Sequence, residues 1–165
     1  MPSSQKDAVA LLKADHRKVE GLFAQFEKAK GDARKKELAD QICLELSVHA
    51  KIEEDIFYPA CREQGVDEDM MDEANVEHDS AKVLIAEIEK AGPADDYFDA
   101  KVKVLSEMIK HHVKEEEQRD GMFAQAKQGD VDLAELGQQL AQRKGDLTAL
   151  YQRTEIGRAS CRERV

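Results

Sequence analysis

The sequence is poor in the residues that build sheets, cross-linked domains and membrane spans. It has no tryptophan, aromatic residues make up only 5% of its 165 positions, and its 3 cysteines lack the spacing of a zinc ribbon or a disulfide framework. No hydrophobic run approaches the roughly 20 residues that a membrane-spanning helix needs. The first residues also lack the apolar segment of a signal peptide. We therefore expect a cytoplasmic protein with reduced thiols and no membrane partner.

Positive charge is also scarce. The chain has 25 Lys and Arg residues against 35 Asp and Glu residues, which gives a formal net charge of −10. Its longest basic stretch is Arg34-Lys35-Lys36. Because proteins bind nucleic acids by neutralising phosphates with lysine and arginine, this composition argues against a nucleic-acid partner.

The residues that are abundant favour helix. Alanine, leucine, glutamate, lysine and glutamine dominate, and the few glycines and prolines fall between stretches of helical periodicity. The pattern predicts five helices at about 5–30, 33–64, 67–91, 94–127 and 131–150, with Pro59 kinking or ending the second near its end. Short connections make consecutive helices antiparallel. We expect an all-α fold, an antiparallel up-down-up-down four-helix bundle with an additional C-terminal helix.

One domain is expected over residues 1–154. The last residues, 155–165, have no apolar period and resemble the translation of a sequencing adapter. We interpret them as a non-native tail, and the alternative is a disordered natural tail.

The alternating 3,4 spacing of a helical bundle predicts which positions of each long helix face inward. The apolar ones are Val9, Leu12, Val19, Phe23 and Phe26 on the first helix, Ile42, Leu46, Ile56 and Ala60 on the second, Met71, Ala74, Ala81, Ile85 and Ile88 on the third, and Val102, Leu105 and Ile109 on the fourth. Each inward-facing stripe is apolar except at its middle. There the stripes carry polar residues that no lysine or arginine on the same stripe neutralises. Burying an unpaired carboxylate costs several kcal/mol, so these positions call for a cation. The residues are His16, His49, Glu53, His78, His112 and Glu116.

Counting residues from the predicted turns places all six at about one height in the bundle. A histidine and a glutamate four residues apart also share a helix face. Any one such pair is commonly just a solvated polar pair, but six groups at one height indicate a metal site. Neighbours that fall off the stripes are expected to be flanking, solvated or outside the ligand set, namely Glu20, Glu54, His111 and Glu117.

The donor set narrows the choice of metal. Four imidazole nitrogens and two carboxylates are too rich in nitrogen for magnesium or calcium, and too many for one tetrahedral zinc. Two non-haem iron ions fit best, with manganese as the second choice. The Glu-x-x-His motif of ferritin-like proteins is absent from these helices.

His16, His49-x-x-x-Glu53, His78 and His112-x-x-x-Glu116 together resemble the hemerythrin-like, or HHE cation-binding, family over about residues 5–127. The resemblance implies an antiparallel four-helix bundle with an oxygen-bridged di-iron centre that binds dioxygen or reacts with nitric oxide or peroxide. It also implies that these six residues are the metal ligands. Lys82 stands where oxygen-carrying members have a further histidine.

Three kinds of function remain open. The first is binding of dioxygen or a related oxidant for sensing, buffering or detoxification. The second is a di-iron enzyme, a peroxidase or nitric oxide reductase, which would show multiple turnovers. The third is an iron-storage or metal-responsive interaction module, which would bind a partner in only one metal state.

Overall fold

Every regular element that the structure describes is a helix. The computed structural model describes the backbone of residues 5–162 and the side chains of residues 5–154. Within that range, no helix is both long enough and apolar enough to cross a membrane. The elements are α1 (Ala8–Lys28), α2 (Asp32–Ile52), a π-helical turn (Glu53–Phe57), α3 (Tyr58–Glu63), α4 (Glu68–Ala91), α5 (Phe98–Glu117), α6 (Met122–Gln128) and α7 (Leu133–Arg162).

Four long helices surround the interior. Helix α1 packs on α2, α2 on α4, α4 on α5, and α5 returns to contact α1. The predicted apolar stripes face inward, because apolar residues at helical spacing reduce their exposure only when they share one buried side. On α4 every predicted stripe position is buried, namely Met71, Ala74, His78, Ala81, Ile85 and Ile88.

The second predicted helix is continuous, but a π-helical turn at Glu53–Phe57 shifts which of the following residues face inward. The π-helical turn precedes Pro59, which has no N–H and whose ring would clash with the carbonyl four residues earlier in an α-helix. A π turn widens the helix there and lets it continue to Glu63 instead of ending. The inward positions after Glu53 are therefore Phe57, Tyr58 and Cys61, and not Ile56 and Ala60 as the 3,4 spacing predicts.

The fourth predicted helix is shorter than its sequence pattern indicates. Helix α5 ends at Glu117, and Gln118 is extended with ψ 165°. The chain then passes so close to the end of α5 that a Cβ at Gly121 would lie 2.3 Å from the Glu115 carbonyl oxygen. Only glycine fits this turn. Helix α6 starts immediately afterwards and buries Met122 and Phe123.

The C-terminal helix α7 packs across α1 and α2. It approaches the start of α1 at Gly137, where a Cβ would lie 2.4 Å from the Lys6 carbonyl oxygen. Its backbone continues to Arg162, beyond the predicted end at residue 150. The side chains of residues 155–165 lie outside the described part, and their interpretation as a non-native tail stays a prediction.

The interior divides into two apolar clusters. One contains Leu12 of α1 and Met71 of α4, and the other contains Phe23 of α1 and Ile85 of α4. Along α1, α2 and α4 the predicted polar positions fall between residues of the two clusters, and on α5 they follow residues of the second cluster. A layer of buried polar side chains thus separates the two apolar clusters.

Candidate metal centre

The structure brings all six sequence-predicted residues together in this polar layer. Each is buried, with at most 7% of its surface exposed. They form two groups in which one ligand atom from each member lies within 4.8 Å of the others. We name them the His16 cluster, formed by His16, His49 and Glu116, and the His78 cluster, formed by Glu53, His78 and His112.

Within each cluster the inner ring nitrogens converge. The Nε2 atoms of His16 and His49 are 3.2 Å apart, and those of His78 and His112 are also 3.2 Å apart. The two histidines of each pair come from neighbouring helices, α1 with α2 and α4 with α5. Each cluster therefore offers two imidazole nitrogens and one carboxylate, a donor set that suits divalent first-row metals.

The two carboxylates join the clusters. Glu53 Oε1 lies 3.1 Å from His49 Nε2 in the His16 cluster and 3.5 Å from His78 Nε2 in its own. Glu116 Oε1 lies 3.4 Å from His16 Nε2 in its own cluster and 2.9 Å from His112 Nε2 in the other. Each carboxylate can therefore serve both positions.

A ring of four further carboxylates surrounds the histidines. Each is the sequence neighbour of a centre residue on its own helix, and each faces the outer ring nitrogen, Nδ1, of a histidine on the next helix. The distances are 3.0 Å for Asp15–His49, 3.9 Å for Glu54–His78, 3.7 Å for Glu77–His112 and 2.8 Å for Glu117–His16. Only the first and last are hydrogen bonds.

Basic side chains hold three of these carboxylates. Arg17 pairs with Glu117, and Lys144 of α7 pairs with Asp15. Lys82 donates to both carboxylate oxygens of Glu54 at 2.6 Å and 3.0 Å. Of the two carboxylates that the stripe pattern placed outside the ligand set, Glu117 therefore orients a histidine, whereas Glu54 faces one without a hydrogen bond.

Proton affinity is strongly perturbed in the centre. Burial disfavours the charged form of His49, but the carboxylates of Glu53 and Asp15 outweigh it and raise the pKa of His49 to about 10. Burial also opposes the charge on His112, yet Glu116 and Glu53 raise its pKa well above the usual range. The pKa of Glu53 is held well below its usual range, against burial, by the histidines around it. A cation that binds here must displace protons.

Several buried polar atoms of the centre lack a hydrogen-bond partner among the described residues, which fits a metal site. Both carboxylate oxygens of Glu53, the Oε1 of Glu116 and the Nδ1 atoms of His78 and His112 are buried without a hydrogen-bond partner among the described residues. Buried polar groups in native proteins are almost always satisfied, so a group of unsatisfied carboxylate oxygens needs an explanation. A cation held in each cluster would satisfy the carboxylates.

Two aromatic residues that the stripe pattern missed also contact the centre. The Tyr58 hydroxyl lies 3.4 Å from Glu116 Oε2 and 3.4 Å from His78 Nε2. Burial, with the nearby carboxylates of Glu116 and Glu53, raises the pKa of Tyr58 well above its usual range. Phe123 of α6 stacks on the His16 ring with centroids 5.7 Å apart. The π turn and the helix break, which bring these residues inward, leave no periodic signal.

An apolar cavity of about 30 Å³ adjoins the four histidines. Its walls include Leu46, Ala81 and Ile85, and Lys82 lies at its edge. This volume exceeds the roughly 10–15 Å³ needed for one water molecule. The cavity can accept a molecule of two or three atoms.

Three residues that the sequence places near the predicted ligands belong to neither cluster of the centre, namely His111, Glu20 and Lys82. His111 is 66% exposed in its side chain and pairs with Glu115 at 3.1 Å. Glu20 pairs with Arg17 on the surface of α1. The ammonium of Lys82 pairs with Glu54 at 2.6 Å and belongs to neither cluster.

Known proteins resemble this chain in fold and in sequence. The crystal structure of a hemerythrin HHE cation-binding domain-containing protein from Mycobacterium kansasii superposes with a TM-score of 0.73, covering 88% of this chain and 91% of that one, at 23% identity. This likeness supports a hemerythrin-like helical fold.

In sequence, a protein named DNA nickase from Nostoc sp. strain PCC 7120 is 28% identical over 110 residues. The match covers 65% of this chain, which spans only 30% of the Nostoc protein's length. A profile of the hemerythrin HHE cation-binding domain matches residues 7–124, the part that holds all six residues of the two clusters. The chain therefore belongs to the hemerythrin HHE cation-binding domain family.

Proposed function

We propose that this chain is a hemerythrin-like non-haem di-iron protein that binds dioxygen or a related small oxidant, nitric oxide or peroxide, for sensing, buffering or detoxification. The observation that carries the proposal is the pair of buried clusters, each with two imidazoles and one carboxylate, joined by carboxylates that touch both. Four nitrogen and two oxygen donors suit iron, with manganese as the second choice.

The six residues would divide between two ions. His16, His49 and Glu116 would hold one, while Glu53, His78 and His112 would hold the other. When bound, the irons supply two adjacent redox-active ions that can exchange electrons with a small oxidant. The chain's own part is to fix the imidazole rings, balance the charge with two buried carboxylates and keep bulk water away.

The cavity beside the histidines supports a small, weakly polar ligand. Its volume of about 30 Å³ and its aliphatic walls suit a diatomic molecule better than an organic substrate. The chain offers six candidate ligands, because Lys82 is tied to Glu54 at 2.6 Å where oxygen carriers have an imidazole. One imidazole fewer favours reaction or sensing over reversible carriage.

We also infer the antiparallel up-down-up-down arrangement of the four long helices. Contacts between α1 and α2 support it, because their order reverses from Asp15–His49 through Lys18–Glu45 to Gln25–Arg34. The two apolar clusters support it as well. Helices α1 and α4 run from the first cluster to the second, α2 runs from the second to the first, and α5 begins in the second, as expected when each helix runs opposite to its neighbour.

Metal analysis with optical spectroscopy tests the proposed function. Protein produced with iron should contain about two irons per chain and show near-ultraviolet charge-transfer absorption. Anaerobic reduction followed by mixing with dioxygen should give a stoichiometric spectral change. One zinc per chain, or no metal, would overturn the proposal.

A second candidate, peroxide turnover, is favoured by Tyr58. Its phenol keeps its proton at neutral pH and donates to Glu116 at 3.4 Å, so it can offer a hydrogen bond to a peroxide beside the centre. Tyr58→Phe should retain iron and lower the turnover rate by about a hundredfold. Equal turnover in both proteins would remove this candidate.

The activity named for the Nostoc protein is not part of the proposal. This chain spans only 30% of that protein and carries a net charge of −10, which opposes binding to DNA.

A further inference from the structure

A third group of metal-binding side chains lies outside the centre. Glu77 of α4 and His111 and Glu115 of α5 each offer a ligand atom within 4.8 Å of the others. His111 is exposed and the two glutamates are half-buried. We name these three residues the outer cluster. Its one nitrogen and two carboxylates suit a divalent first-row ion that keeps some water ligands.

The outer cluster lies beside the centre on the same two helices, α4 and α5. Each of its members is the sequence neighbour of a centre residue, and α5 therefore carries two His-x-x-x-Glu pairs about 100° apart around its axis. Glu77 faces both ways, because its Oε1 also lies 3.7 Å from the Nδ1 of buried His112. The outer and inner groups are separated by less than the length of one side chain at this point.

A cavity of about 250 Å³ connects the two groups. Its lining includes Glu77 and Glu115 of the outer cluster, and His112 and Glu116 of the centre. The Nδ1 of His112 and the Oε1 of Glu116 are buried and have no hydrogen-bond partner among the described residues. Two residues of the lining thus carry unpartnered donor atoms, and the cavity is large enough for a partly hydrated ion.

The lining of this cavity is acidic, unlike the linings of three other cavities in the described part of the chain. Its lining also contains Asp67, Asp69 and Glu73, and includes no lysine or arginine. Three other cavities of the described part each have at least one lysine in their linings. A concave surface lined by charges of one sign concentrates counter-ions and speeds their arrival.

We propose that the outer cluster is a transient site for divalent metal ions, which load the His78 cluster through this cavity. The inference rests on the proposed metal centre and adds the route by which it fills. The exposed His111 and the half-buried Glu77 and Glu115 capture the ion, and His112 and Glu116 receive it. Glu77 is the shared group, since it faces His111 and Glu115 on one side and His112 on the other.

Stopped-flow loading of the metal-free full chain with Co²⁺ tests this route. Cobalt absorbs visibly in nitrogen and oxygen sites and can be followed without dioxygen. Wild-type protein should bind two ions tightly and a third weakly. His111→Ala and Glu115→Gln should abolish the third equivalent and slow filling by about tenfold, while the two tight equivalents remain.

The matched control is Glu107→Gln, which removes one exposed carboxylate from the same helix but does not line the cavity. It should load at the wild-type rate. Added salt should slow wild-type loading more than it slows the Glu115→Gln variant, because screening weakens steering by the acidic cavity and this variant has one lining carboxylate fewer.

The outcomes separate the route from the centre itself. If wild-type protein binds fewer than two ions tightly, the proposed centre fails. If two ions bind but both variants load as fast as wild type, the route alone is overturned. Loss of a tight ion in His111→Ala would also overturn it, because His111 would then belong to the centre.

Discussion

The two halves of the centre differ in how their histidines are held. In the His16 cluster, both outer ring nitrogens are hydrogen-bonded, His16 to Glu117 at 2.8 Å and His49 to Asp15 at 3.0 Å. In the His78 cluster, the nearest carboxylates lie 3.9 Å from His78 and 3.7 Å from His112, too far for a hydrogen bond.

The difference has consequences for metal affinity. A hydrogen bond at the outer nitrogen fixes the tautomer and the orientation of the imidazole and makes it a better donor. The His16 cluster is therefore organised before an ion arrives. The His78 cluster must still orient its rings, and it lies at the acidic cavity. We expect the first to retain its ion longer and the second to exchange it more readily.

Removing an imidazole from the His78 cluster should have the largest effect. His112→Ala deletes a buried ring whose Nε2 lies 2.9 Å from Glu116, so the variant should fall from about two ions per chain to about one. Elemental analysis after gel filtration measures this. His111→Ala is the control and should keep both ions. Retention of two ions by His112→Ala would show that the cluster is assigned wrongly.

Removing an outer hydrogen bond should have an intermediate effect. Asp15→Ala frees the outer nitrogen of His49 and should weaken the His16 cluster by about 10- to 100-fold. Equilibrium dialysis against graded chelator measures it, since wild-type protein should release its ions in two steps that merge in the variant.

Glu54→Ala is the matched control for Asp15→Ala. Its carboxylate lies 3.9 Å from His78, so its loss should change affinity by less than about threefold. Equal effects of the two substitutions would mean that the two clusters are held alike.

Acid should weaken both clusters, by about tenfold per pH unit for each proton that the metal displaces. The pKa of His49 is about 10 and that of His112 is well above the usual range, so both are protonated in the metal-free protein at neutral pH. Affinity should rise with pH, and this rise should end for the His16 cluster near pH 10. Competition titrations between pH 6 and 9 check it. A flat profile would mean that the histidines are already neutral.

Substituting Lys82 should have a small effect in the opposite direction. Lys82 is 46% exposed and pairs with Glu54, whose carboxylate lies 3.9 Å from the outer nitrogen of His78, so Lys82→Met leaves Glu54 free to approach that nitrogen. The His78 cluster should bind its ion tighter by less than about fivefold, as expected for a surface pair. Unchanged metal content with slower chelator release would agree. Loss of metal would show that Lys82 supports the site directly.

The sequence predicted the parts of the centre that follow from helix periodicity. The stripes of α1 and α4 are buried as predicted, because two apolar clusters select one face of each helix. The six predicted residues converge, though their role as ligands stays a prediction. The four outer carboxylates could have been found, since each is next to a centre residue.

Other features depend on tertiary contacts that periodicity does not encode. The π turn before Pro59 adds one residue to a helical turn. It thereby brings Tyr58 to the inward side of the helix, where an unbroken 3,4 pattern predicts Ile56. The end of α5 is decided by the backbone approach at Gly121. The ion pair of Lys144 with Asp15 joins residues 129 positions apart, so no local sequence pattern predicts it.

The ion pair of Lys144 with Asp15 can form only late in synthesis of the chain. Asp15 leaves the ribosome long before Lys144, and at about 5–20 residues per second the delay is roughly 6 to 26 seconds. Until α7 emerges, the carboxylate that orients His49 lacks its cation. The better organised half of the centre therefore gains its last supporting contact only after all six centre residues have been synthesised.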